Sequence, residues 1–295
     1  MWPWSERTGV TATTLTLEEL LQVRPHHVRG PFVRGERVPV GERPGRGRAP
    51  GLDFDGISPY VHGDDVRWID WRATARSTEV QVRRFAAQSH RARMIVLDLH
   101  SELYFATRRR LMAKTAVLVA ARLAWQSLAL NEPVGLVLPG GPDDTMRPRR
   151  GRGQLLRLLA SLHACYRHQE SVSPSDRLAG DVTRAADQVR HGDEVCVISD
   201  FAGQLEPLLA ATRSRTAGRS FHALVVDDYL GRSEVPAGRY PARRGALRRV
   251  FAIDRLAAAA AARTADGHRS TRRRQLVDGG WQVIDALDWL PEAGA

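Results

Sequence analysis

Met94-Ile95-Val96-Leu97-Asp98 and Glu194-Val195-Cys196-Val197-Ile198-Ser199-Asp200 are unbroken apolar runs that each end in an aspartate. Runs this short, without polar alternation, read as strands buried on both faces of a parallel sheet. Val134 to Leu138 and Phe221 to Val226 repeat the pattern, and Gln282-Val283-Ile284 is a last short strand. Between them lie helical stretches at about 106 to 129, closed by Asn131 and Pro133, and at about 153 to 165, striped by Leu155, Leu156, Leu158, Leu159 and Leu162. Others cover 179 to 190, Leu205 to Thr212, and Ile253 to about Ala265. Strands alternating with helices predict an α/β fold: an open, mostly parallel sheet with helices on both faces. Ligands of such sheets bind beyond the carboxyl ends of the strands, where Asp98 and Asp200 fall.

Upstream, the pattern dissolves. Thr16-Leu17-Glu18-Glu19 has capping-box spacing and predicts a short helix over about 17 to 23. Residues 24 to 51 are rich in proline, glycine and arginine without any period, and read as an irregular arm. Glu79 onward reads as a strand, with Val80 and Val82 on the face opposite Gln81 and Arg83. The expected organisation is therefore an N-terminal helix and arm over 1–51, a separate segment and strand over 52–92, and the α/β domain over 93–290.

Composition sets further bounds. With 295 residues, 43% hydrophobic and 26% charged, the chain can bury a sizeable core. Cys165 and Cys196, the only two cysteines, sit in apolar runs and cannot form a disulfide framework, which predicts a reduced, intracellular setting. The N-terminus lacks the apolar run of a secretion signal. Ala116 to Trp125 is broken at Arg122, so no membrane span is expected. The net charge is +11, and Lys114 is the only lysine. Eleven arginines between Arg239 and Arg274, against Asp254 and Asp266, supply most of that excess. They read as a solvated basic helix face, or as the electrostatic footprint of a nucleic-acid-binding protein. Aromatic residues for base stacking are scarce there. No nucleophile elbow, Walker loop or zinc spacing occurs, so the chain is expected not to be an enzyme.

One segment is more specific. From Tyr60 through Gly63-Asp64-Asp65, Arg67, Ile69-Asp70-Trp71 and Ala75-Arg76, acids, arginines and tryptophans alternate. Asp65, Arg67, Asp70, Arg72 and Arg76 are spaced for mutual pairing, and Trp68, Ile69 and Trp71 supply bulk for docking, as in a structural clamp. This stretch resembles the signature of the domain of unknown function 58 family, and the two strand-ending aspartates follow in the order that family shows. The resemblance implies a von Willebrand factor A-like fold and a non-enzymatic adaptor role. The expected partners are a MoxR-type AAA+ ATPase and a client protein that it matures or remodels.

The resemblance also implies a site. In von Willebrand factor A-like domains an Asp-x-Ser-x-Ser loop, a threonine and a later aspartate hold a magnesium ion through oxygen ligands. Here the loop is Asp98-Leu99-His100-Ser101-Glu102, in which both serines are replaced and Ser101 is out of register. Asp200 matches the later aspartate, while the threonine position near 149–153 offers arginines. Such a set reads as a degenerate metal site, and no cofactor is expected. Arg152 could neutralise the acids in place of a cation, or His100 and Glu102 could join Asp98 and Asp200 in a different metal site, even one that activates water as a hydrolase does. Asp98, His100, Ser101, Glu102, Arg152 and Asp200 are the predicted partner-binding surface.

Overall fold

The computed structural model describes residues 13–25, 52–61, 64–87, 91–104, 110–140, 144–168, 177–215, 218–227, 238–244 and 247–290. The arm over 26–51 and Gly63 lie outside them. In chain order the elements begin with α1 (Leu17–Gln22), β1 (Leu52–Pro59), α2 (Trp71–Thr74), β2 (Gln81–Ala87) and β3 (Arg93–Leu97). Next come α3 (Met112–Ala129), β4 (Val134–Val137), β5 (Thr145–Arg149), α4 (Arg152–His168), α5 (Leu178–Asp187) and β6 (Glu194–Ser199). The remainder is α6 (Leu205–Arg213), β7 (Ser220–Val225), β8 (Gly238–Arg244), β9 (Leu247–Ile253), α7 (Arg255–Asp278), β10 (Gln282–Asp285) and α8 (Ala286–Trp289).

The chain divides into two compact units, Arg34–His90 and the remainder. In the larger, six strands lie in the order β10-β7-β6-β3-β4-β5, all parallel except the edge strand β5. The β3 run is buried at every position because it has a helix layer on each side. Ile95 and Leu97 face the core formed with α3 and α4, whereas Met94 and Val96 face that of α5, α6 and α7. The predicted mostly parallel α/β sheet with helices on both faces is thus present.

Several boundaries differ from the sequence reading. α3 begins at Met112 rather than near 106, with Leu111 already extended. Leu156 is 45% exposed and lies outside the buried stripe of α4. β5 was not predicted: an arginine- and proline-bearing edge strand carries no run of core residues. The arginines of 239–274 do not share one helix face, because five fall on the antiparallel β8–β9 hairpin and six on α7. The N-terminal helix packs into the α/β unit instead of standing apart with the arm. Its capping box forms, with the Glu19 amide donating to Thr16 Oγ1 at 3.2 Å. Leu20 is fully buried, and Lys114 donates to Glu19 Oε1 at 2.6 Å and to the Thr14 carbonyl at 2.7 Å.

In the smaller unit β1 and β2 pair antiparallel, and Ile69 bridges to Val82. The expected charge pairing is realised in part, with one partner from outside the expected set. Asp65 pairs with Arg67 at 2.6 Å, but Asp70 accepts from the Arg72 and Ala73 amides, capping α2, and from Arg83 Nε in β2 at 2.8 Å. Asp64 accepts from the Val61 amide at 2.9 Å, and the Tyr60 amide donates to the Val80 carbonyl. Ala75 closes α2, and Arg76 is exposed. Trp68 is 39% and Trp71 70% exposed.

Candidate functional site

β3 and β6 are parallel neighbours with Leu97 opposite Ile198, so the residues that follow emerge side by side at the carboxyl edge. The Asp98 amide donates to the Ile198 carbonyl at 2.9 Å, which carries the ladder one step past the strand. Ser199 Oγ donates to Asp98 Oδ2 at 2.7 Å and accepts from the Phe201 amide at 2.9 Å. That second bond holds Phe201 at φ 51°, a left-handed conformation that costs a side-chain-bearing residue roughly 1–2 kcal/mol. Burial of the Phe201 ring, edge-on to Trp281, offsets it. The Asp200 carboxylate accepts from the Ala202 amide at 3.0 Å.

His100 is carried between Leu99 and Leu103, both buried, and its side chain is 8% exposed. Its Nε2 stands 3.6 Å from Asp200 Oδ1. One ligand atom from each of Asp98, His100 and Asp200 lies within 4.8 Å of the others. Burial pushes the Asp98 carboxyl above its ordinary value, with Asp200 and Asp181 adding to the effect and Ser199 and His100 opposing it. For His100 burial disfavours the charged ring, but the carboxylates of Asp200, Asp98 and Glu102 outweigh it and the net direction is up. Asp200 moves down: burial opposes, while His100, the Ala202 amide and Arg272 prevail.

The predicted residues therefore separate. Asp98, His100 and Asp200 converge. Glu102 is exposed in the short 3-10 turn Ser101–Leu103 and contributes only its field, and Ser101 is half-buried at the start of that turn. Arg152 is at the other end of the sheet. β5 runs antiparallel, so Thr145 lies beside Val137 while Arg149 pairs with Val134, itself opposite Arg93 at the amino end of β3. The start of α4 follows there, about 16 Å from the strand tips at 3.3 Å per residue. Gln154 confirms the placement by donating to the Val134 carbonyl at 3.0 Å. The nearby positive charge comes from α7 instead, where Arg272 helps hold the Asp200 carboxyl below its ordinary value. Arg272 donates to the Asp200 carbonyl, and Arg269 pairs with Asp227, just beyond β7, at 2.7 Å.

Sequence reasoning missed Ser199, Asp227, Arg269 and Arg272. Asp227 carried a signal, because it ends a third apolar run in the manner of Asp98 and Asp200. Nothing distinguished the two arginines from the others in their stretch. The cysteines are not candidates for nucleophiles: burial pushes the Cys165 thiol up to about 12, and Cys196 is raised further. The donor set does not match the magnesium site implied by the resemblance, because an imidazole stands where hydroxyl oxygens are required.

A family model described as "Protein of unknown function DUF58" matches residues 57–246. The uncharacterized proteins Mb1516 of Mycobacterium bovis and Rv1480 of Mycobacterium tuberculosis are each 30% identical over 167 residues, covering 56% of this chain and 51% of theirs. The chain thus spans about half the length of these curated relatives. Among solved structures, an aerotolerance-related membrane protein from Bacteroides fragilis aligns with a TM-score of 0.41 at 14% identity, over 66% of this chain and 90% of that one. The conserved hypothetical protein BatB from Bacteroides thetaiotaomicron aligns with a TM-score of 0.40 at 13% identity, over 66% and 89%. Among the described residues no helix is long and apolar enough to cross a membrane.

Proposed function

The chain belongs to the DUF58 family, and from that premise we propose that it is a non-enzymatic protein-interaction module that reads a partner through the carboxyl edge of its sheet. The partner class that the signature resemblance supplies is a MoxR-type AAA+ ATPase, with which the chain acts as an adaptor in maturing or remodelling a client protein in the cytoplasm. The observation that carries this reading is the convergence of Asp98 and Asp200 at adjoining strand tips. Open α/β sheets bind their ligands at that edge, and a von Willebrand factor A-like domain presents its recognition surface there. The surrounding groups support docking rather than a reaction centre. Ser199 is held by two bonds, accepting from the Phe201 amide and donating to Asp98, and so serves to fix the strand tips.

Crosslinking followed by affinity capture tests the proposal. Wild-type protein is expected to enrich a MoxR-type ATPase from its own cells, and Asp200→Ala is expected to lose that enrichment while remaining folded. Recovery of no such ATPase under crosslinking would overturn the partner assignment. Equal recovery by the variant would overturn the assignment of the surface.

A further inference from the structure

Acidic clusters at strand ends are common, and two aspartates alone would say little. The distinguishing feature is the imidazole between them. The His100 side chain is more than nine-tenths buried, and its Nδ1 is shielded from solvent without a hydrogen-bond partner among the described residues. Its Nε2 stands at 3.6 Å from Asp200 Oδ1, beyond the roughly 2.7–3.2 Å of an N–H···O bond. The Nδ1 left in this state forfeits about 1–3 kcal/mol of desolvation. Two carboxylates beside it add lone pairs and no donors. Ser199 satisfies one oxygen of Asp98, leaving the other oxygen of that group available.

A cluster of acceptors takes a cation, and its spacing decides which kind. Ligand atoms that all lie within 4.8 Å of one another, on side chains with little exposure, leave no space for a guanidinium. They suit a bare ion bonded at about 2.0–2.2 Å, whose tetrahedral ligands stand about 3.3 Å apart. One nitrogen and two carboxylate oxygens select against magnesium, which demands oxygen and retains its waters, and favour a borderline ion.

We propose that Asp98, His100 and Asp200 bind one divalent transition-metal ion of the zinc class, with a fourth position open toward the carboxyl edge. Ser199 is the outer partner that orients Asp98, and Arg272, through the Asp200 carbonyl, steadies the turn that presents Asp200. This site goes beyond the docking role proposed above and does not depend on it.

The test uses tag-free full-length protein stripped with a chelator and titrated calorimetrically with zinc or with magnesium. Wild-type protein should bind zinc at this site, and millimolar magnesium should not displace it. His100→Ala and Asp98→Asn should each lose one zinc equivalent or weaken it by more than about 100-fold, beyond the 10- to 100-fold typical of an outer-shell change. Ser199→Ala should weaken it by about 10-fold. Thermal midpoints of the metal-free variants show that each is folded, and ATPase capture is read separately, so failure of one proposal is distinguishable from failure of the other. No zinc uptake, zinc uptake undiminished in both His100→Ala and Asp98→Asn, or magnesium displacing zinc would each overturn the site.

Discussion

The two ends of the same sheet bury charge in opposite ways. At the amino end Arg93 is 1% exposed and saturated: Nε and Nη2 donate to Glu194 Oε2 at 3.1 and 2.9 Å, and Nη1 reaches Gln126 and Ser127 at 3.2 and 3.1 Å. Glu132 adds a longer contact at 3.7 Å. At the carboxyl end Asp98 has its Ser199 bond, but among the described residues His100 has no partner within hydrogen-bond distance, and β3, β6, β7 and β10 run out into Asp98, Asp200, Asp227 and Asp285. A buried charge with every nitrogen engaged is a structural joint, since any exchange of partners would leave a charge uncompensated. A buried group short of partners is where a ligand gains by binding. The difference assigns architecture to one end and recognition to the other.

The contrast can be broken most sharply at the amino end. Arg93→Ala removes one partner of a buried pair and strands Glu194, so urea unfolding should show a loss of about 3–5 kcal/mol; a loss below about 1 kcal/mol would remove the distinction between the ends. At the carboxyl end Asp98→Asn keeps an acceptor for Ser199 and removes a charge that burial disfavours. The metal-free variant should therefore unfold within about 1 kcal/mol of wild type, or later.

The pH dependence sharpens the comparison within the site. Asp98 has a raised value in the fold, so its contribution to stability is complete below the ordinary carboxylate range, about 3.9, and is lost as pH rises through the folded value. Asp200 is lowered, so its contribution is present above that range and is lost as pH falls through its folded value. The stability of Asp98→Asn relative to wild type should accordingly increase from acid toward neutral pH in metal-free buffer, and a flat difference would contradict the assigned direction. The smallest effect is expected in the signature unit. Arg67 of the Asp65–Arg67 pair is 84% exposed, and Asp65→Asn should barely move the thermal midpoint, even at low salt.

How much of this was readable in the sequence follows from which forces leave a local trace. β3, β4, β6 and β7 announce themselves because burial on both faces imposes a continuous apolar run, and an aspartate follows three of the four, at Asp98, Asp200 and Asp227. β5 left no such trace. Its antiparallel course moved Arg152 to the far edge, an error of topology rather than of residue chemistry. β8 and β9 were hidden because their arginines were read with those of α7 as one charge run. His100 was identified from its place in the loop, but its burial depends on Leu99 and Leu103 anchoring the turn, which no spacing reveals. Arg272 reaches Asp200 across 72 residues and could be found only in three dimensions.

Hydrogen exchange on the full chain, with and without a purified MoxR-type ATPase, tests the central claim most directly. The account predicts new protection confined to the carboxyl edge, at 98–104 and 199–204, with the Arg93 end unchanged. Protection centred on Arg93, Glu194 and the start of α4, with the strand tips unaffected, would contradict it.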